Sequence, residues 1–291
     1  MLLRLYKYII YLFLFINLIK CSKKINKNKI IISITNQQEN IQNTYKIIKS
    51  IIDQNVNKDL YQILLILSLK EYKTKSELPN NILLLENSNE IKILLTKRKI
   101  TNQTKLIVAI KEYPNNPILI INNKCSLPNG WLDMFIKDYN KYPNDAIVAN
   151  VQYFFGKNGE IKEFSEGFRG KFGIFNHVTE IIFNFALINT NLGGILYPKN
   201  YFNNPLFFDE NLFLKVTENS DEFWQSAFII IEDKVLRQSS TIFDYTRYLI
   251  NNDSYEKYNK RTFFEKIKLP YRTNLTFVLI QLSFIKKMFL S

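Results

Sequence analysis

The chain has 291 residues, of which 46% are hydrophobic, enough to bury one large core or two modest ones. Its 39 lysines and arginines outnumber its 26 aspartates and glutamates, and the resulting net charge of +13 favours anionic partners such as phosphates, nucleic acid or an acidic membrane surface. The basic residues are nevertheless spread along the chain, as solvated surface charges usually are. Two cysteines are too few for a metal site or a disulfide framework of their own, so the composition indicates a globular protein and excludes a cysteine-rich class.

Residues 1–24 have the pattern of a signal peptide or an uncleaved signal anchor. Arg4 and Lys7 precede the apolar run 8–19, which is shorter than the roughly 20 residues that span a bilayer. No small-residue cleavage pattern follows this run, so both forms stay open. We expect the protein to enter the secretory pathway, or to be associated with a membrane through this segment.

The first half of the chain alternates between apolar runs typical of buried strands and apolar residues at helical spacing. The predicted strands are 29–35, 62–69, 82–85, 118–121 and 146–151. The predicted helices are 43–54, one around 106–113 and one that begins near Trp131. Such alternation predicts an α/β fold with a mainly parallel sheet and helices on both of its faces.

The second half is less regular. A Gly- and Phe-rich segment at 156–175 is interpreted as a loop or a small hairpin, after which the α/β pattern resumes at 191–198 and in a helical stripe over 220–236. We expect one globular domain over 27–244, followed by a basic amphipathic tail at 245–291. The tail could pack on the core as a closing helix or lie on a membrane surface.

A polar triplet directly follows the predicted strand 118–121. Asn122, Asn123 and Lys124 end the apolar run, and a Pro-Asn-Gly turn comes after them. In open α/β sheets, ligands bind in the crevice outside the carboxyl ends of the strands. The triplet therefore marks the predicted ligand site.

In their order, these pieces resemble the GT-A type glycosyltransferase domain of short family-A or family-2-like enzymes, which transfer a sugar from a nucleotide-sugar donor. The resemblance runs from about residue 30 to residue 236. It is carried by five stretches: SIT at 33–35 with SIIDQ at 50–54, TK at 104–105, the strand and triplet up to Trp131, GGILYP at 193–198, and SDEFW at 220–224. The resemblance implies a single Rossmann-like domain with a mixed, mainly parallel sheet.

The resemblance also implies donor contacts. In such enzymes the first strand and its loop hold the nucleobase, which makes Thr35 a donor contact, and the lysine matched by Lys105 lies near the donor pocket. Gly193 and Gly194 would permit close approach of the backbone to the ligand, or they simply form a turn into a strand.

An acidic pair, Asp221 and Glu222, matches the position at which an inverting enzyme of this kind keeps its general base. Asp221 is the expected base, or Glu222 if the match slips by one residue. A structural role competes with this hypothesis, because carboxylates behind Ser220 are also favoured in the first turn of a helix.

The chain departs from the family at its metal motif. The acidic triplet that holds a divalent cation against the donor diphosphate aligns with Asn122, Asn123 and Lys124, so the usual carboxylate ligands of Mn²⁺ or Mg²⁺ are missing and no cofactor is assigned. Lys124 could place its ammonium against the diphosphate instead. The expected partners are a UDP- or GDP-linked sugar and a glycan or glycoprotein acceptor. The alternative is a catalytically inactive relative that binds a glycan or a protein partner.

Other chemistries have less support. Cys125 lies beside the predicted site but is expected to be a small buried residue, as a lone cysteine more often is than a nucleophile. The single histidine, His177, is too remote in sequence to indicate Cys/His catalysis. Charge is the only feature of the sequence that would indicate nucleic-acid binding, since no stacking-aromatic or recognition-helix signature accompanies it. We therefore expect no nucleic-acid partner.

Overall fold

The structure is a computed structural model. It describes residues 29–36, 41–98, 100–101, 103–121, 125–149, 151–153, 187–189, 193–217, 221–241, 243, 245–248 and 250. The predicted signal segment 1–24, the triplet 122–124, the Gly- and Phe-rich segment and most of the tail 245–291 lie outside the described residues.

Nine strands form two sheets within the described part of the chain. Seven of them make the main sheet, in the order β3-β2-β1-β4-β8-β5-β9. These strands are β1 Ile30–Thr35, β2 Tyr61–Ser68, β3 Ile91–Thr96, β4 Ile118–Ile120, β5 Ala146–Val148, β8 Ile195–Tyr197 and β9 Leu236–Gln238. Neighbours pair in parallel except at β8, which runs antiparallel to both β4 and β5. A separate antiparallel pair consists of β6 Val151–Tyr153 and β7 Leu187–Asn189.

Helices cover both faces of the main sheet. They are α1 Ile41–Ile52, α2 Asn80–Asn87, α3 Thr104–Glu112, α4 Trp131–Lys141, α5 Glu210–Thr217 and α6 Asp221–Ile231. One apolar layer contains buried residues of α1, α2 and α4, and the opposite layer contains those of α3, α5 and α6. Short 3-10 turns lie at Lys58–Leu60, Lys75–Glu77, Pro205–Phe208 and Tyr245–Tyr248. None of the helices in the described ranges has the length and apolar content needed to cross a bilayer.

The predicted fold class is confirmed. The strands 29–35, 62–69 and 118–121 and the helix that begins at Trp131 lie within about one residue of their predicted positions. The central strands β1 and β2 are buried on both faces over most of their length, and in β1 the residues Ile31, Ile32 and Ile34 are at most 1% exposed.

Three predicted elements were wrong in type or extent. Residues 82–85 belong to helix α2, which follows Pro79, and the third strand lies at Ile91–Thr96; a four-residue apolar run does not distinguish helix from strand. The predicted strand 146–151 ends at Val148, with one further hydrogen bond to β8's neighbour from Ala149 N to Gly194 O at 3.0 Å, and Val151 begins the separate strand β6. The helical stripe 220–236 ends at Ile231, and Asp233 adopts a left-handed φ of 49° before β9.

The order of the strands creates a switch point between β1 and β4. From β1 the chain adds β2 and then β3 on one side, and it then returns to place β4 on the other side of β1. Ile31 pairs with Ile118 and Ser33 with Ile120, so the two strands end side by side. Ligand crevices of open α/β sheets form outside the carboxyl ends at such a point.

Candidate functional site

The carboxyl end of β1 presents polar groups at the switch point. Thr35 is the last residue of β1 and is partly buried, and Asn36 follows it with 2% exposure. Side chains alternate along a strand, so Ser33 and Thr35 lie on the same face. Ser33 Oγ donates a 2.7 Å hydrogen bond to Lys105 O, which shows that this face is the one covered by the first turn of α3.

Helices α3 and α6 both begin at this edge of the sheet. Each helix leads into a parallel strand, α3 into β4 and α6 into β9, so each ends near the amino end of its strand and begins near the carboxyl ends. An 11-residue helix such as α6 is about 16 Å long, comparable with the height of the sheet. The first turns of the two helices therefore meet beside the switch point.

A buried ion pair joins these two first turns. Lys105 Nζ lies 3.3 Å from Asp221 Oδ2, and each side chain is only 6% exposed. A lysine in the first turn of a helix is unfavourable next to the positive end of the helix dipole, whereas an aspartate there is favourable. Asp221 thus supplies a negative charge beside Lys105 at a point where the dipole of α3 is unfavourable for a cation.

A chain of buried side-chain hydrogen bonds runs beside this pair. Tyr197 Oη donates to Gln225 Oε1 at 2.8 Å, and Gln225 Nε2 donates to Gln103 Oε1 at 2.8 Å. Gln225 lies one helical turn after Asp221 and Gln103 lies two residues before Lys105, so α3 and α6 are joined by two polar contacts. Gln103 Nε2 has no hydrogen-bond partner in the described part of the structure.

Sequence reasoning missed these glutamines. The available signal was Gln225 at the i+4 position from Asp221 within an otherwise apolar helical stripe, since residues at this spacing lie on one face of a helix.

Gly193 and Gly194 have backbone conformations with φ of 82° and 97°. A Cβ on Gly193 would overlap the ring of Tyr245, and a Cβ on Gly194 would lie 2.8 Å from Ile120 O. Gly193 O accepts a 2.6 Å hydrogen bond from Trp131 Nε1. Close packing at the end of β4 therefore explains why both positions are glycine, and their donor-binding role stays a prediction.

The 3-10 turn Tyr245–Tyr248, which we call the strap, crosses the same edge. The Tyr245 ring lies against Gly193 and is 1% exposed. Tyr248 O accepts two hydrogen bonds from Ser126, at 2.9 Å from the backbone nitrogen and 3.2 Å from Oγ. Burial, with a further contribution from Cys125, raises the pKa of Tyr245, so its hydroxyl is neutral. The strap thus contacts Ser126, which follows β4 in the chain.

No family model matches the sequence, and no curated protein sequence matches it. Solved structures that are similar include mannosyltransferase PcManGT from Pyrobaculum calidifontis in complex with GDP-Man and Mn²⁺, with 11% identity over 43% of this chain and 36% of that chain, and a TM-score of 0.36. The 4-diphosphocytidyl-2C-methyl-D-erythritol synthase from Anaerococcus prevotii DSM 20548 matches with 11% identity over 81% of this chain and 96% of that chain, and a TM-score of 0.46. TarS 1–349 from S. aureus matches with 10% identity over 74% and 59%, and a TM-score of 0.43.

With identities of 10–11% and TM-scores below 0.5, these similarities carry no conclusion about the family or the activity of this chain. The match also spans only 36% of the mannosyltransferase chain.

The structure brings some of the predicted site residues together. Lys105 and Asp221 are in contact, and Thr35, Gly193 and Gly194 lie at the same edge of the sheet. The predicted burial of Cys125 is confirmed, at 2% exposure. Asn122, Asn123 and Lys124, the Glu222 side chain and His177 lie outside what the structure describes.

The donor atoms at this edge do not fit a divalent cation. The Asp221 carboxylate already lies against an ammonium group, which opposes a metal ion at the same oxygen. Asn122, Asn123 and Lys124 add no carboxylate to the sequence at this point. In the described ranges, no three His, Cys, Asp or Glu residues are grouped as metal ligands would be.

Proposed function

We propose that this protein is a nucleotide-sugar-dependent glycosyltransferase whose UDP- or GDP-linked donor binds in the crevice at the ends of β1 and β4. The acceptor is a hydroxyl group of a glycan or glycoprotein. One observation carries the proposal: the residue expected near the donor, Lys105, and the expected base, Asp221, are far apart in sequence but lie 3.3 Å apart beside the switch point.

In the proposed reaction, Asp221 accepts the proton of the acceptor hydroxyl. The acceptor oxygen then forms a bond to the anomeric carbon while the bond from that carbon to the donor diphosphate breaks, and the nucleoside diphosphate leaves with the electron pair. The contact with Lys105 positions the Asp221 carboxylate before the transfer. The ammonium groups of Lys105 and Lys124 stabilise the negative charge that develops on the leaving diphosphate.

The second candidate is a catalytically inactive relative that binds a glycan or a protein partner. The same ion pair favours it in one respect, because an Asp221 side chain that is 6% exposed and already paired must become accessible before it can take a proton from a substrate. The two candidates differ in whether a nucleotide binds and whether the donor is turned over.

Calorimetric titration of the full-length protein with UDP and with GDP, each in Mn²⁺ and in EDTA, tests donor binding. We expect binding that persists in EDTA, because Lys124 and Lys105 replace the metal's charge. Binding that requires Mn²⁺ would show that carboxylates elsewhere in the chain hold a metal. Absence of binding at millimolar nucleotide would leave the inactive, partner-binding relative as the better account.

Hydrolysis of a nucleotide sugar, measured as released nucleoside diphosphate, tests catalysis. Asp221→Asn keeps the shape of the side chain but removes the base, so we expect turnover to fall at least about 100-fold. Asp133→Asn is the matched control, because Asp133 pairs with Lys137 on the exposed side of α4. Equal activity of the two variants would contradict the assignment of Asp221.

The proposal includes the organisation of the chain: residues 1–24 direct it to the secretory pathway or anchor it, 27–244 form the catalytic domain, and 245–291 form the tail. Fractionation of cells that express the full chain or a chain lacking residues 1–24 tests the first part. The full chain is expected in secretory membranes or their lumen, and the same distribution without residues 1–24 would contradict this assignment.

A further inference from the structure

The strap covers the part of the edge that the proposed donor would use. The side chain that Gly193 lacks would occupy the space that the Tyr245 ring fills. Gly193 O is already bonded to Trp131, and Gly194 packs against Ile120 O, so both glycines are enclosed by protein atoms in this structure.

Contacts hold both ends of the strap. At one end the Tyr245 ring packs in the apolar layer that also contains Cys125, and Phe243 adds an edge-on ring contact at 6.0 Å. At the other end Tyr248 O accepts both hydrogen bonds from Ser126. A short 3-10 turn that forms no part of the sheet can open locally without unfolding it.

One group opposes the covered arrangement. Tyr245 Oη is buried and has no hydrogen-bond partner among the described residues. A buried hydroxyl without a partner is unfavourable relative to one in water, and it regains its hydrogen bonds when the strap lifts. The strap is therefore stabilised by the ring and destabilised by the hydroxyl of the same residue.

We propose that the strap is an autoinhibitory element whose Tyr245 ring occupies the Gly193 side of the crevice, so that a nucleotide diphosphate binds only when the strap lifts. This inference rests on the proposed function for the identity of the ligand. By linkage, a ligand that binds only the lifted form must also increase the population of that form. A lid that closes over its ligand would show the opposite coupling.

The Cys125 thiol reports on the strap without reference to any ligand. It is 2% exposed and lies close enough to Tyr245 to affect that side chain's pKa. The chain has two cysteines, so Cys21→Ser in the full-length protein leaves Cys125 as the only thiol for a disulfide reagent. The rate of labelling then measures how often the strap lifts.

Two substitutions at Tyr245 should act in opposite directions. Tyr245→Phe removes the unpartnered hydroxyl and keeps the ring, so we expect Cys125 labelling to slow about fivefold and the affinity for UDP to fall by a similar factor. Tyr245→Ala removes the ring, so labelling should be at least about tenfold faster and UDP should bind more tightly. Tyr72→Phe is the matched control: it removes another buried hydroxyl without a described partner, beyond β2, and should leave labelling unchanged.

Saturating UDP should accelerate Cys125 labelling in the protein with native Tyr245, and GDP serves as the second probe. Slower labelling with UDP bound would overturn the inference, as would labelling at the same rate in the Phe and native proteins. These results would leave the proposed function intact, because the nucleotide would still bind. If neither the native protein nor Tyr245→Ala binds a nucleotide, the proposed function fails and the inhibitory role fails with it. Because Tyr245→Phe preserves the packing of the ring, the test does not depend on whether Tyr245→Ala folds.

Discussion

Replacing Asp221 with asparagine removes the negative charge from a carboxyl group 3.3 Å from Lys105 Nζ while keeping the shape of the side chain. At an effective dielectric constant of about 20, the attraction between two unit charges at this distance is about 5 kcal/mol. The cost of burying the two charges offsets much of it, but removing one partner leaves the other charge in a site where its side chain is 6% exposed. We expect Asp221→Asn to lower the free energy of unfolding by about 3 kcal/mol.

The assay is urea unfolding followed by tryptophan fluorescence, because Trp131 and Trp224 are buried on opposite faces of the sheet and report on both layers. Lys105→Met should lower the free energy of unfolding by a similar amount. In the double variant the free energy of unfolding should fall by at least about 2 kcal/mol less than the sum of the two single losses, because neither charge is left buried without its partner.

Additive effects of Lys105→Met and Asp221→Asn, with a coupling below about 0.5 kcal/mol, would refute the reasoning that the two charges depend on each other. The control is the exposed pair of Lys137 and Asp133 in α4, whose side chains are 72% and 47% exposed. Breaking that pair should change the free energy of unfolding by less than about 0.5 kcal/mol.

Two further predictions concern backbone and pH. Gly194→Ala should lower the free energy of unfolding by about 3 kcal/mol, since it combines a φ of 97° with a Cβ 2.8 Å from Ile120 O. The control Gly130→Ala has a φ of 81° but nothing within 4 Å of the added Cβ, so it should lower the free energy of unfolding by only about 1 kcal/mol. Equal losses for the two variants in urea unfolding would contradict the packing argument. Burial raises the pKa of Tyr201 above its ordinary value of 10.0, so the unfolded chain loses this proton first as the pH rises. The stability contributed by the neutral hydroxyl is therefore intact below pH 10.0 and falls above it, by at most about 1.4 kcal/mol per pH unit. Urea unfolding from roughly pH 10 to 11.5 should show a shallower fall for Tyr201→Phe, and an unchanged slope would contradict this cause.

Strands β1 and β2 could be predicted because they are buried on both faces over most of their length. Runs such as Ile30–Thr35 and Tyr61–Ser68 are continuous, apolar and flanked by polar segments, which leaves few alternatives. The run 82–85 is equally apolar but belongs to helix α2. An apolar run of four residues fits either a strand or a helix, so the local sequence could not distinguish the two.

The direction of β8 could not be predicted from local sequence either. Its three residues, Ile195–Tyr197, form hydrogen bonds to β4 on one side and to β5 on the other, both antiparallel. Insertion between two strands depends on partners distant in the sequence, and a three-residue strand carries no signal of its own direction. Gly194 makes the insertion feasible, because only a residue without a Cβ fits against Ile120 O.

Only part of the candidate site could be predicted from the sequence, because its contacts join residues that are distant along the chain. The GT-A resemblance pointed to Lys105 and Asp221 separately, and their contact follows from the crossover that starts α3 and α6 at one edge of the sheet. The resemblance gave no indication of Gln103 or Gln225. Their hydrogen bond joins residues that are far apart in the sequence, so it could be recognised only in the folded structure. That amide contact ties the first turn of α6 to α3 at a second point, one helical turn away from the ion pair. A displacement of Asp221 would therefore also disturb this buried hydrogen bond, which restricts the proposed base to small displacements.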